Sequence, residues 1–412
     1  MTLPARTARE GHDLALLTGN GAGEMFRIAF RQEVAVRSWT VHSVHHRPGA
    51  GVTVCYVVVV DSPTEAGTMV RTEEYMCAST ARLAHPDQVM AKLQSDGTKV
   101  SLWRYPHDPE LPGLAEACSP DQMSRRLGRP VSIELMSYRP TRRAVVKISH
   151  DDEVLAFGKV LRLTQARELA NRHRVLQEAH VPAPRLLMET PNGIVVTAAM
   201  QGEPLANIIS RGMGNRAPQI LRALVAVLDT LPATVLDLPQ RPSWSERAEH
   251  YAHAAATALP EEAQRCRALA ERINTLLPLA PTGPVVPVHG DFYEANVYMH
   301  KSLSQVAGII DVDSVGPGYR VDDLACLLGH MSVLPHLAPK AYPFVPQDLA
   351  QWRIACESMV DPVALNTRCA GVALSLIAGA KRMDGREWRR DALGRLAMAE
   401  WWMERAEAFA RR

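Results

Sequence analysis

Two short apolar runs, "NVYMH" at 296–300 and "QVAGII" at 305–310, flank the turn-like "KSLS". Runs of this length around such a turn fold as an antiparallel hairpin. In a hairpin the start of the first strand lies beside the end of the second. Asn296 opens the first run and Asp311 follows the second, so pairing brings an amide and a carboxylate together across fifteen residues. The stretch "VVPVHGDFYEANVYMH" (285–300) places His289 and Asp291 just upstream, and "IDVDSVGPG" (310–318) adds Asp313. A surface loop needs polar residues, but not these residues at these intervals. A carboxylate and an amide oxygen facing one pocket suit Mg²⁺, which takes oxygen ligands and completes its shell with water and phosphate. Asp291 is free to point at an incoming hydroxyl as a base. A base and a metal pair in one small region are what phosphoryl transfer requires.

The bulk numbers set the frame. With 412 residues, 47% apolar and 22% charged, the chain is expected to be globular with two or three domains. A net charge of +2 without a basic run predicts neither a nucleic-acid nor a membrane partner. The longest strongly apolar run, "VCYVVVV", is far shorter than the ~20 residues of a membrane span. The N-terminal stretch lacks a signal-type apolar region, and the seven scattered cysteines read as reduced core thiols, which together predict the cytoplasm.

Residues 1–128 alternate β-branched and polar residues, as in "EVAVRSWTVHSV" and "GVTVCYVVVV" with the turn signal "RPGAG" between, and predict a β-rich cap domain. Residues 129–200 predict a second sheet, with strands at 132–138, 143–149 and 154–161. A helix over 164–179 follows, capped by Thr164, then two strands around an Asn-Gly turn. From 201 to 412 the apolar spacing becomes helical, as in "RAPQILRALVAVLDTL" and "PVALNTRCAGVALSLIAGAK". "HHRPGAGVTVCYV" and "SYRPTRRAVVKI" share Arg-Pro, four residues and then alternating valines, which reads as two similar hairpins or an internal repeat. Asp322 or Asp323, in "DDLA", makes a good helix N-cap.

"HGDFYEANV" followed by "GIIDVDSVGPG" and "DDLA" resembles the aminoglycoside phosphotransferase and choline kinase group over roughly residues 130–412. The resemblance implies an α+β, protein-kinase-like bilobal fold: a small β-rich lobe that binds ATP, a large helical lobe, and here an added N-terminal β-rich cap. It implies ATP and Mg²⁺ as cofactors and a small-molecule hydroxyl as acceptor. Asp291 becomes the catalytic aspartate, with Asn296 and Asp311 on Mg²⁺ and Asp313 a further metal group. His289 and Asp323 become supports of the catalytic loop. The phosphate-pairing lysine is Lys159, on the third strand of the small lobe; Lys147 falls one strand early. Only seven of the 46 basic residues are lysines, and a lysine offers phosphate a compact point charge. Glu168 is the implied partner of that lysine, and backbone groups from Thr197 to Met200 are the implied adenine contacts. Amides of the turn Arg139–Arg143 are expected to approach the phosphates.

The expected function is an ATP- and Mg²⁺-dependent O-phosphotransferase acting on a sugar, aminocyclitol or aminoglycoside. The alternatives are a sugar kinase of the maltokinase or glucosamine kinase type and a non-catalytic nucleotide-binding relative. A glycosyltransferase, reading "DVD" as its metal motif, leaves His289, Asp291 and Asn296 unexplained. Nothing resembles the D-F-G or A-P-E segments of a protein kinase.

Overall fold

The computed structural model of the chain describes residues 3–30, 34–47, 51–64, 67–95, 97–381 and 387–412. It forms two compact units: Met1–Ala170 with Leu186–Ala199, and Asn171–Arg185 with Met200–Arg412.

The first unit opens with helices α1 (Leu3–Thr18) and α2 (Ala22–Ala29). Strands β1 (Ala35–Arg47), β2 (Gly51–Pro63), β3 (Met69–Ser79), β4 (Ala91–Ser95) and β5 (Thr98–Arg104) then form an antiparallel sheet in the order β1-β2-β3-β5-β4. Alternation on β2 decides its faces. Val52, Val54, Tyr56, Val58 and Val60 point toward Leu17, Met25 and Phe26 of the helices, and the Tyr56 hydroxyl donates to the Leu17 carbonyl at 2.7 Å. Cys55 points the other way, into a cluster with Cys77, Leu83 and Trp103. The two helices correct the purely β reading of this segment. Their short apolar faces become stable only against the sheet they cover.

Short helices α3 (Leu114–Ala117) and α4 (Pro120–Leu127) lead to a second sheet of β6 (Ser132–Arg139), β7 (Arg143–His150), β8 (Glu153–Leu161), β9 (Leu186–Glu189) and β10 (Ile194–Ala198). Its order, β6-β7-β8-β10-β9, repeats that of the first. The two Arg-Pro strings occupy the same place in each, joining the first strand to the second: Arg47 pairs with Gly51, and Arg139 with Arg143. The "PGA" tip of the first string, 48–50, lies outside the described residues. Helix α5 (Leu163–Glu178) starts one residue before Thr164, which sits inside the first turn and is not its cap. Arg162, just ahead of it, instead binds the Thr141 carbonyl and Glu110.

The second unit holds β11 (Glu203–Pro204), α6 (Leu205–Arg211), α7 (Ala217–Leu228), α8 (Ala248–Ala258) and α9 (Ala263–Leu276) before its two small ribbons. Strand β12 (Val285–Val288) pairs with β15 (Gly316–Tyr319). Between them in sequence lies the expected hairpin of β13 (Val297–Met299) and β14 (Val306–Ile309), with Val297 opposite Ile309. Helices α10 (Arg320–Leu337), α11 (Val345–Met359), α12 (Pro362–Leu376) and α13 (Arg389–Ala410) complete it. The stretch Pro362–Ala380, with mean hydropathy 1.4, is apolar and long enough to cross a membrane, unlike the shorter run singled out above. Most of it is buried within this unit, where α12 packs between α10 and α13 as a core helix.

Candidate active site

Val288 ends β12 opposite Gly316, and the chain turns at Gly290 with φ of +77°. A Cβ at Gly290 would stand 2.7 Å from the Ser314 carbonyl oxygen, so only glycine lets 289–291 run this close to 313–314. His289 is fully buried. Its Nε2 lies 3.0 Å from the Ile310 carbonyl, and its Nδ1 lies 3.3 Å from the Asp291 amide. One tautomer satisfies both: Nε2–H donates, and Nδ1 accepts. The Asp323 carboxylate, also fully buried, accepts from the His289 amide (2.9 Å) and the Gly290 amide (2.8 Å). Burial raises this carboxyl to about 7, against the pull of those two amides.

Asp323 therefore holds the loop and does not cap α10. The cap position belongs to Tyr319, whose own side chain makes no cap bond. Asp322 turns instead to Arg368, buried on α12, at 2.9 Å. Removing the Asp323 carboxylate leaves two buried N–H groups without acceptors, at roughly 1–3 kcal/mol each. Asp323→Ala is thus expected to lower stability by about 2 kcal/mol or more, read as a fall in denaturation midpoint.

Asn296 is 4% exposed and donates from Nδ2 to the Asp291 carbonyl at 2.9 Å. Its own carbonyl accepts from the Ile310 amide at 2.9 Å, which sets residues 296 and 310–311 side by side, as the hairpin argument expects. With the amide nitrogen committed, Oδ1 is the atom left for a cation. Asp311 adopts a left-handed conformation (φ 60°, ψ 48°), a strained choice for a residue with a side chain, and Asp313 follows in a single 3₁₀ turn. An amide oxygen and two carboxylates on adjoining backbone are a donor set that fits Mg²⁺. Arg172, 1% exposed on α5, donates to the Val315 carbonyl at 2.9 Å and braces the segment after Asp313. Nothing local in the sequence marked it, because its partner lies 143 residues away.

Behind Asp291 sits a buried polar cluster. Cys326 Sγ is 4.0 Å from Asp291 Oδ1, and a ring nitrogen of His330 lies within 4.8 Å of both groups. His330 stacks on Tyr293 with ring centroids 4.0 Å apart, and its Nε2 is closed off without a partner. Burial, helped by the charge of Arg395, pulls this imidazole from its ordinary 6.5 down to about 3. Glu294, in the same loop, is 5% exposed, and burial lifts its carboxyl to about 7. The folded pKa of His330 is depressed, so its share of stability is whole above 6.5 and drains away as pH falls toward 3. Melting curves across that window should show an acid-induced loss in the wild type that is smaller in His330→Phe.

Three of the residues that the resemblance assigns to ATP lie on β8, α5 and β10. Lys159 is half-buried in mid-β8, between Val145 and Val195 on the neighbouring strands. Glu168 is half-buried in α5, and Thr197 lies on β10 opposite Phe157. The rival Lys147 is taken by an ion pair with Glu134. Met200, in the second unit, lays its side chain over Gly308, where any Cβ would collide with it.

In the turn 139–143 two of the amides expected to approach a phosphate are bonded within the protein. The Arg142 amide closes the turn onto Arg139, and the Thr141 amide is spent on Asp108 Oδ2 at 2.7 Å. Neither amide is left for a phosphate. Thr141 is left-handed (φ 60°) and 7% exposed, and its carbonyl is held by Arg162.

Residues 136–350, just over half of the 412-residue chain, match the phosphotransferase enzyme family. The chain belongs to that family. It is an α+β protein and, as a member of that family, an ATP-dependent kinase that phosphorylates a hydroxyl group of a small molecule. No curated protein matches the sequence. Among solved structures, the kinase is similar to a thermostable mutant of aminoglycoside phosphotransferase APH(4)-Ia, with 13% identity over 71% of this chain and 98% of that one and a TM-score of 0.47. It is also similar to an ethanolamine kinase of Plasmodium vivax (13%, 65% and 82%, TM-score 0.44). A choline/ethanolamine kinase family protein of Mesorhizobium loti gives 16%, 68% and 92%, with a TM-score of 0.44.

Proposed function

We propose that this phosphotransferase is a Mg²⁺-dependent O-kinase acting in the cytoplasm on a hydroxyl of a sugar, aminocyclitol or aminoglycoside. The observation that carries the metal half of the reading is Asn296. Its nitrogen is tied to the Asp291 carbonyl, so the side chain presents an oxygen beside Asp311. Asn296 and Asp311 hold the ion, and Asp313 adds a further carboxylate. Bound Mg²⁺ neutralises the charge that gathers on the transferring phosphate. Asp291 orients the acceptor hydroxyl and takes its proton as the oxygen–phosphorus bond forms and the bond from the γ-phosphorus to ADP breaks. Lys159 pairs with the nucleotide phosphates and Glu168 with Lys159; the backbone from Thr197 to Met200 meets the adenine. His289 and Asp323 fix the loop so that Asp291 need not be reordered at each turnover.

The test is ADP release with Mg²⁺ and a panel of amino sugars, disaccharides, aminoglycosides and choline. Acceptor-dependent release that EDTA abolishes and Mg²⁺ restores supports the proposal. Release that is indifferent to EDTA removes the metal role of Asn296 and Asp311.

A further inference from the structure

A cavity of about 270 Å³ opens in the second unit, with Gly290 and Ser314 on its wall, the chain neighbours of Asp291 and Asp313. Across it stands the loop 241–247. That loop is not a loose surface strand. Ser245 is 1% exposed, and a Cβ at Gly371 of α12 would lie 2.6 Å from the Ser245 Cα, so loop and helix touch through backbone. The loop therefore carries Arg241, Trp244 and Arg247 on a fixed support.

Charge around the cavity is uneven. Arg368, 4% exposed, forms the buried part of the wall and is neutralised by Asp322 at 2.9 Å. Arg241 reaches back across the cavity to donate to Ser314 Oγ at 3.3 Å. Arg247 lies over the Tyr251 ring, 5.3 Å from its centroid. Among the described residues neither guanidinium has a carboxylate partner. Glu246, the remaining acid on the wall, accepts from the Ser243 amide at 2.6 Å. Trp244 and Tyr251 lie at 34° with centroids 5.8 Å apart, a partly exposed aromatic wall beside the arginines. Guanidinium forks match carboxylate and phosphate oxygens, and aromatic faces take the C–H face of a sugar ring. A polycation would meet two unpaired arginines and one acid.

We infer that this cavity receives the acceptor and selects a polyol bearing a carboxylate or phosphate, held by Arg241 and Arg247 with its ring against Trp244. The inference rests on the kinase reading above and narrows its substrate class away from cationic aminoglycosides.

Four probes separate the possibilities: glucose, glucuronate, glucose 6-phosphate and kanamycin. With the full chain and Mg²⁺-ATP, kcat/KM for one of the two anions should exceed that for glucose by about ten-fold or more, the weight of a charge-assisted hydrogen bond. The anion that wins tells carboxylate from phosphate. In Arg241→Gln/Arg247→Gln the preference should collapse through KM. Calorimetry without ATP supplies a readout that needs no turnover: anion binding to the wild type, weakened in the double variant and by salt. Both arginines are exposed, so the melting temperature should hold, and a quench of Trp244 fluorescence, absent in Trp244→Phe, reports the ring contact. Preference for kanamycin, or equal anion binding by wild type and double variant, overturns the inference. Anion binding without any ATP turnover leaves the cavity assignment standing and sinks the kinase mechanism instead.

Discussion

Asp291→Asn is expected to lower phosphate transfer by about 10²–10⁴-fold and to leave the fold in place. Asparagine keeps the shape of the side chain and removes its basicity. The path of the loop is held through the Asp291 backbone. The Asp291 amide is held by His289 Nδ1, and the Asp291 carbonyl by Asn296 Nδ2. Both bonds survive the substitution. The loss should therefore fall on kcat, with KM for ATP and the melting temperature little changed. Steady-state ADP release beside a thermal melt checks this. If the variant keeps turnover within a few-fold of wild type, Asp291 is not the proton acceptor.

The second large effect is expected far from that loop. Asp108 is 3% exposed and accepts three hydrogen bonds: the Tyr138 hydroxyl and the Thr141 amide on Oδ2, both at 2.7 Å, and the Glu110 amide on Oδ1 at 2.9 Å. Trp103 Nε1 in turn donates to the Tyr138 oxygen at 3.1 Å. Glu110 extends the clamp through Arg162, which also holds the Thr141 carbonyl. Residues of the first 128 thus fix a turn of the second sheet that has no glycine. In Asp108→Ala three donors lose their acceptor, at about 1–3 kcal/mol each, so a stability loss of roughly 3 kcal/mol or more is expected from chemical denaturation. Asp108→Asn keeps one acceptor oxygen and should lose less. If the turn covers the nucleotide, the Asn variant should also show a raised KM for ATP with the acceptor KM unmoved. Equal KM values would confine Asp108 to a structural role.

The parts of the fold legible in the sequence are those set by neighbours along the chain. Strands 132–138, 143–149 and 154–161 were visible as alternation and are observed at Ser132–Arg139, Arg143–His150 and Glu153–Leu161. The hairpin that pairs Val297 with Ile309 followed from two apolar runs and a turn. Helices α1 and α2 escape a reading by alternation because their apolar faces are short and take their meaning from the sheet they cover. The N-cap reading of Asp322 and Asp323 failed for a related reason. A carboxylate at a helix start has several possible partners, and here Arg368 and two loop amides compete better than the helix end.

The sequence by itself determined the loop, the hairpin and the residue types at the site, because strand pairing and turn chemistry act over a few residues. Tertiary structure alone decided which of those groups are buried, and therefore which are charged, braced or left for a ligand. His330 next to Tyr293, Arg172 on Val315, Arg241 on Ser314 and Asp108 on Thr141 join positions 33 to 143 residues apart. Spacing along the chain carries no record of such contacts. They arise when the core closes and each buried polar group must find its partner.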